Sequence, residues 1–395
     1  KKQIADYFKT PDAEYVKLAK LVADHEAKAP KFPDELKAQS VVELPKPRVT
    51  NIHLRGDFLA KGDVVEAKTV GVLSGSVGSN RLNLAHWLVN PANPLPARVT
   101  VNRLWQQHFG RGLVATSDDF GRQGEKPSHP ELLDWLASDF ASRGWSLKRV
   151  HRQIVLSSTY RQSARTRRDL AERDPENILL ARQPRRRVEA EVIRDLALSA
   201  SGLFASRIGG PSVRPPQPTE YATITYAGGA SWPESKGSDR YRRGLYTFFQ
   251  RTSPYPMLMT FDTPDSNECA VRRTTSNTPL QALTLWNDPV FVEAAQALGS
   301  RVVKELPGPA SDELVRQRVR RTVELCLARS PDSQEEAALV ALYQQQSAIC
   351  SKDAKAATTL LGNQTPVAET PAAELAAWIS VGRAVLNLDE FITRE

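Results

Sequence analysis

Between Thr116 and His129 the chain gathers Asp118, Asp119, Glu125 and His129 in one short loop, with Gly121 and Gly124 to let the backbone turn tightly around them. Three carboxylates offer hard oxygen ligands, so Asp118, Asp119 and Glu125 form a candidate set for calcium or another divalent ion. Asp118, Asp119 and His129 also combine carboxylates with an imidazole, the pairing that acid–base catalysis uses. The plainer alternative is structural. Asp118 or Asp119 closes a turn, Ser128 or His129 caps the helix that Pro130 opens, and the rest is solvated. The regular ligand spacing of an EF-hand loop is absent, as is H-E-x-x-H.

A second group lies between Thr252 and Thr278, where Asp262, Asp265, Glu268, Cys269, Arg272 and Arg273 precede a helix beginning near Pro279. Arg272 and Arg273 are candidates to grip a carboxylate or sulfate bidentately, and Ser276 to Thr278 can offer hydroxyls and backbone N–H groups to an anion. The alternative is an internal Arg–Asp network that pins a long loop. Cys269 has cationic neighbours but no histidine near it in sequence. Arg242 and Arg243 add a second arginine pair, and Trp232 offers a ring that either stacks on a sugar or fills a gap in the core. His86, His108 and His151 sit on or beside apolar helical faces, the setting of a buried, hydrogen-bonded core histidine.

The elements that must hold these residues are mostly helices. Val101, Leu104, Trp105 and His108 recur at helical spacing. Asn80 precedes a face of Leu84, Trp87 and Leu88. Pro130 opens a helix with Leu132, Leu133, Leu136 and Phe140 inward, closed by Gly144. Ser146 caps the next, with Leu147, Val150 and Ile154 inward. Further helices are expected over about 188–204, 311–329, 332–349 and 372–387. Upstream, Thr10-Pro11-Asp12 opens a helix to about Lys28, and Pro30, Pro33, Pro45 and Pro47 mark an extended linker. Val49 to Arg55 and Gly244 to Arg251 read as short strands. Residues 209–240, with Tyr221, Tyr226, Gly228 and Gly229, form a long irregular segment of the kind that often carries function. The fold class is therefore mainly α: a multi-helix domain with a few short strands and long ordered loops. An N-terminal helix and linker over 1–79 precede the main domain at 80–395.

Composition narrows the function. The chain has 395 residues, 41% hydrophobic and 25% charged, with a net charge of +8. It has no run of about 18 apolar residues, so no membrane-spanning segment is expected. The arginine-rich stretch from Arg161 to Arg187 raises nucleic-acid binding as a function class. Acids interleave with it at Asp169, Glu172, Asp174, Glu189 and Glu191, which argues against that class. The three cysteines, Cys269, Cys326 and Cys350, allow one disulfide, with Cys326 and Cys350 as partners across a helical hairpin. Neither C-x-x-C nor C-x-x-C-H occurs, so no cysteine zinc cluster or c-type haem attachment is encoded here. Gly71 to Gly78 lacks the Lys-Ser/Thr ending of a phosphate-binding loop. The chain opens at Lys1 without a charged segment leading into an apolar one, so any targeting signal is expected upstream.

One resemblance is specific. The run R-L-N-L-A-H-W-L-V-N-P (81–91) and its continuation to Gln162, R-R-R-V-E-A-E-V-I-R-D (185–195), G-G-P-S-V-R-P-P-Q-P (209–218), Y-R-R-G-L-Y-T-F-F-Q-R-T (241–252), C-A-V-R-R-T-T-S-N-T-P-L-Q-A-L-T-L-W-N-D (269–288) and L-N-L-D-E-F (386–391) resemble the planctomycete-type PSD domain. That is a domain of unknown function found in proteins that often carry a planctomycete cytochrome c module. The resemblance implies export, hence a periplasmic or secreted location. It also implies an upstream domain of the same protein as partner, with c-type haem confined to an upstream module, and envelope or secreted partners, with polysaccharide use as the expected setting. It supplies no catalytic residues. Two enzymic or binding classes follow beside nucleic acid: a binding or scaffolding module of a larger protein, and a hydrolase of anionic or complex carbohydrate.

Overall fold

The computed structural model describes residues 7, 12–28, 40–46, 48–70, 72–73, 80–218, 232–267, 269–362, 364, 367 and 370–394. The expectations placed on Thr10, Pro11, Pro30, Pro33, Pro47, Tyr221, Tyr226, Gly228, Gly229, Glu268 and most of Gly71–Gly78 lie outside these residues. Helices dominate, and among the described residues the strands form two antiparallel two-stranded sheets. The chain divides into two compact units, Lys1–Asn93 and Pro94–Glu395.

The first unit holds α1 (Ala13–Ala27), a hairpin of β1 (Thr50–His53) and β2 (Lys61–Val65), and α2 (Arg81–Leu88). Asp12 caps α1: its carboxylate accepts the backbone N–H groups of Glu14 and Tyr15 at 2.8 and 2.9 Å. Asn80 caps α2 as its sequence predicts, through Asn83 N–H at 2.8 Å. Of the expected apolar face of α2 only Trp87 is buried, its indole N–H donating to Leu73 O. Leu84 and Leu88 are exposed, and His86 is exposed too, not a core histidine.

The second unit begins with α3 (Leu95–Phe109), α4 (Pro130–Ser142) and α5 (Leu147–Leu156). Val101, Leu104, Trp105 and Phe109 of α3 meet Leu133, Leu136 and Phe140 of α4 and Val150 and Ile154 of α5 in one core. Each fully buried side chain of this size stabilises by roughly 1.5–3 kcal/mol. Leu147 was expected inward but is exposed, since the first residue of α5 extends past this core. Gly110 ends α3 with φ +80°, a left-handed conformation that a side chain would oppose.

After the single turn α6 (Arg168–Ala171), the two-residue strand β3 (Arg186–Arg187) leads into α7 (Ala190–Ser201). Next come α8 (Pro256–Thr260), α9 (Pro279–Asn287), α10 (Pro289–Glu305), α11 (Asp312–Leu327), α12 (Ser333–Lys352), α13 (Ala354–Leu361), α14 (Ala372–Leu386) and β4 (Thr393–Arg394). The helices from α7 onward share two further cores centred on α10 and α14. Those two helices cross closely because Gly299 has no side chain: a Cβ there would lie 2.9 Å from Ile379 N. At the end of the chain β4 pairs antiparallel with β3, Arg186 opposite Arg394 and Arg187 opposite Thr393.

Two expectations are corrected in this unit. Gly244–Arg251 is not a strand: Gly244–Tyr246 turns as a 3-10 helix, and the remainder meets Val213 through an isolated bridge. Gly244 sits against the backbone of α7, where a Cβ would lie 2.5 Å from Glu191 O, and its N–H is taken by the Asp195 carboxylate at 2.6 Å. The N–H groups of Gly244, Tyr246 and Thr247 are thus taken by Asp195, Arg243 O and Gly244 O, which leaves only the short pairing with Val213. Cys326 and Cys350 are not bridged, and Cys269 is free as well. Cys326 lies beside the turn joining α11 to α12, whereas Cys350 lies at the far end of α12, about 25 Å along its axis at ~1.5 Å per residue. No disulfide spans that distance.

Candidate functional site: an arginine-lined groove

The loop following α3 is built on Asn102. This fully buried amide donates to Val114 O at 3.0 Å and Ser117 Oγ at 3.3 Å, and accepts Val114 N–H at 2.8 Å. Ser117 in turn bonds Gln106 at 2.5 Å. Thr116 Oγ1 accepts Glu125 N–H and donates to Asp119 O, both at 2.9 Å, which closes the loop on itself. Asp119 turns its carboxylate onto Gly121 N–H at 2.6 Å, the turn-closing role of the structural reading. Ser128 Oγ lies 2.9 Å from His129 Nδ1, and His129 occupies the N-cap position of α4 without a capping hydrogen bond.

This geometry leaves Asp118 and Glu125 facing a cavity of about 650 Å³ and takes Asp119 and His129 out of its lining. Across the cavity lie Cys269, Val271 and Arg272, so the two loops singled out in the sequence meet. Glu125 pairs with Arg111 at 3.2 Å, and Arg111 also pairs with Glu176. Asp118 makes no hydrogen bond or ion pair among the described residues. Among those residues no group of three or more His, Cys, Asp and Glu side chains stands close enough to hold a metal ion. Asp118 and Glu125 are the members of the expected metal set that share the cavity.

A second cavity of about 530 Å³ shares Gln106, Gly110, Val271 and Arg272 with the first, so the two form one groove. Its lining holds Arg103, Arg186, Arg187, Arg272 and Arg273 against a single acid, Glu189. Two of the five are committed. Arg187 pairs with Asp262 and donates to Ser276 O; Arg273 grips Glu191 with two bonds of 2.6 and 3.0 Å, which raises its pKa. Asp262 is itself held by Ser276 N–H and Oγ, both at 2.8 Å. The internal network expected as the plainer reading of this loop is therefore present, built on Arg187 and Arg273. The other three, Arg103, Arg186 and Arg272, have no carboxylate partner among the described residues. Arg186 donates to Gln107 O, and burial pushes its guanidinium below its usual pKa.

Three sequence candidates lie elsewhere. Arg242 is 1% exposed, donates to Pro211 O at 2.8 Å and to Gly209 O, and stacks 3.8 Å from the Tyr246 ring centroid. Arg243 pairs with Asp195 at 3.1 Å. Trp232 stacks on Tyr255, centroids 5.5 Å apart, and its indole N–H donates to Pro215 O at 2.7 Å. In the Arg161–Arg187 stretch Arg167 pairs with Asp169, but Glu189 and Glu191 face Arg273 and Asp174 caps the N–H groups of Ile178 and Leu179.

The PSD1 family model, described as a protein of unknown function (DUF1553), matches residues 80–343. The chain belongs to the PSD1 family. No curated protein and no solved structure matches it. All residues lining the groove fall inside the PSD1 match. No helix among the described residues is long and apolar enough to cross a membrane. Sequence reasoning missed Arg103, Gln106 and Arg111 at this PSD1 groove. The signal was there, since Arg103, Gln106 and Gly110 fall at helical spacing on the side of α3 opposite the core residues Val101, Leu104 and Trp105.

Proposed function

We propose that this PSD1 chain is a binding module of a larger exported protein, and that its groove recognises an anionic ligand, a polysaccharide bearing carboxylate or sulfate groups. The observation that carries the reading is the contrast within one lining: Arg187 and Arg273 have carboxylate partners, whereas Arg103, Arg186 and Arg272 have none among the described residues. Guanidinium groups pair bidentately with planar or tetrahedral anions, and an anion that neutralises three of them gains charge-assisted hydrogen bonds. The groove lining contains no aromatic ring among the described residues, so recognition rests on charge and hydrogen bonds rather than on stacking against a sugar face. Export, an upstream domain and envelope partners are supported by the family resemblance.

The test is calorimetric titration with a uronic or sulfated oligosaccharide and with a neutral one of equal length. The acidic ligand binds and the neutral one does not; affinity falls with salt and weakens about tenfold or more in Arg272→Ala. Equal binding of both ligands, or none at low salt, sinks the reading. Duplex DNA at low salt is the control for nucleic acid.

A second reading, hydrolysis of the same class of ligand, draws on Asp118 and Glu125 facing the adjoining cavity. A paired and an unpaired carboxylate are the kind of set that divides base and acid work. Asp119 and His129 then shape the loop without touching the ligand. Release of reducing ends that stops in Asp118→Asn is the required result; binding without turnover returns the first reading.

A further inference from the structure

We propose that anion binding at Arg186 is coupled to protonation of the His108–His151 pair behind the groove, so that the ligand is taken up together with a proton. The proposal rests on the anion-binding reading of the groove and adds its regulation. His108 Nε2 and His151 Nδ1 lie 2.9 Å apart, so one ring donates the shared proton and the other accepts it. His108 is half-buried, and its Nδ1 has no hydrogen-bond partner among the described residues. Adding a proton to the free outer nitrogen of the donating ring gives an imidazolium–imidazole pair that keeps the shared bond.

The surroundings oppose that proton. Tyr160 stands edge-on to His108, its centroid 5.5 Å away, and Arg394 on β4 stacks over the Tyr160 ring. Arg186 on β3 bonds the carbonyl of Gln107, the residue preceding His108, while its side chain also lines the groove. The acids of the packed helix α4 are engaged or turned away: Asp134 with Arg98, Asp139 with Arg143, Arg149 and Gln153, and Glu131 exposed. α5 brings only Lys148, Arg149, His151 and Arg152. Burial first, then the charges of His151, Arg394 and Arg186, lower the His108 pKa to about 4. An anion on Arg186 is the negative charge this site lacks. It cancels part of the Arg186 field and moves the pair's titration upward. Between the free and bound positions, binding takes up a proton and strengthens as pH falls.

The probe is inorganic sulfate, which does not titrate in this range. Ring signals of histidine-labelled protein are followed by NMR against pH in saturating sulfate and in chloride of equal ionic strength. His108→Gln and His151→Gln assign the pair. The expected result is an upward shift of roughly half to one pH unit in sulfate. In Arg186→Gln the shift disappears, and the ligand-free pair already titrates higher than in the unsubstituted protein. Identical titrations with sulfate bound overturn the coupling and leave the groove standing. Absence of sulfate binding in calorimetry overturns both. An unmoved ligand-free titration in Arg186→Gln overturns the link between that arginine and the pair, whatever sulfate does.

Discussion

Gly124 approaches Asp119 so closely that a Cβ at position 124 would lie 2.0 Å from the Asp119 carbonyl oxygen and 3.0 Å from Thr116 Oγ1. Asp119 O is the acceptor of the Thr116 hydroxyl, and that hydroxyl also accepts Glu125 N–H. The glycine thus allows the crossing that sets Glu125 on the cavity wall. In Gly124→Ala the methyl group must push the crossing strands apart. The expected cost is about 1–3 kcal/mol, read as a lowered Tm, together with weaker binding of acidic ligand. An unchanged melting curve and unchanged binding would show that the loop tolerates being opened.

Arg272 and Arg273 are adjacent, yet they predict opposite phenotypes. Arg272 is exposed on the groove without a described partner, so Arg272→Ala leaves Tm nearly unchanged. It weakens acidic-ligand binding about tenfold or more, the worth of a charged hydrogen bond. Arg273 holds Glu191 and lies near Glu189. Arg273→Ala therefore strands the Glu191 carboxylate against α7 and lowers Tm by a few degrees. Thermal melts and titrations of the two variants side by side decide the matter, and exchanged phenotypes would reverse the assignment.

These contrasts explain what could be read from the sequence. The helices α3 to α5 were legible because Val101, Leu104, Trp105, Leu133, Leu136, Phe140, Val150 and Ile154 repeat at the helical period and local periodicity decides their burial. The long hairpin of α11 and α12 was legible for the same reason, with Asp332 supplying a capping box. The groove was half legible. Asp118, Glu125, Arg272 and Arg273 were visible as residue types, but the groove is assembled from three segments distant in sequence, α3 with the loop after it, the stretch from Arg186 to Glu189, and residues 264–275. Arg242 shows the limit most clearly. Five N–H donors next to an equally basic neighbour suggested a ligand grip, but the chain folds its own carbonyls at Gly209 and Pro211 around the guanidinium. Nothing local distinguishes an arginine that binds a ligand from one that binds its own backbone.

The thiols offer a direct probe of groove access. Cys269 is exposed and lines the cavity with Asp118 and Arg272. Burial pushes the Cys326 thiol up to about 12, and burial also raises Cys350. Attack by a thiol reagent requires the thiolate and access. One fast equivalent is therefore expected with a chromogenic disulfide, absent in Cys269→Ser, and the other two react only on unfolding. Acidic ligand should slow the fast phase. Three fast equivalents would contradict the packing of α11 and α12, and a fast phase indifferent to bound ligand would remove ligand from this end of the groove.

Asp288 predicts a pH dependence of stability that is separable from the groove. It caps α10 through Val290 N–H at 3.0 Å and is buried. Burial raises its pKa from 3.8 to about 6, against the pull of that N–H and of Arg194. A carboxyl whose folded value lies above its unfolded value favours folding while it is protonated. Its contribution is fully present below about pH 4 and is lost as pH rises through about 6. The loss is on the order of 3 kcal/mol at most for a shift of this size. Asn retains the capping oxygen without the charge. Asp288→Asn should therefore gain stability relative to the parent between pH 4 and about 6 and hold that gain above it. Denaturant unfolding of both proteins across pH 4 to 8 checks this. A constant difference over the whole range would mean that Asp288 stays ionised in the fold, with Arg194 rather than burial controlling its charge.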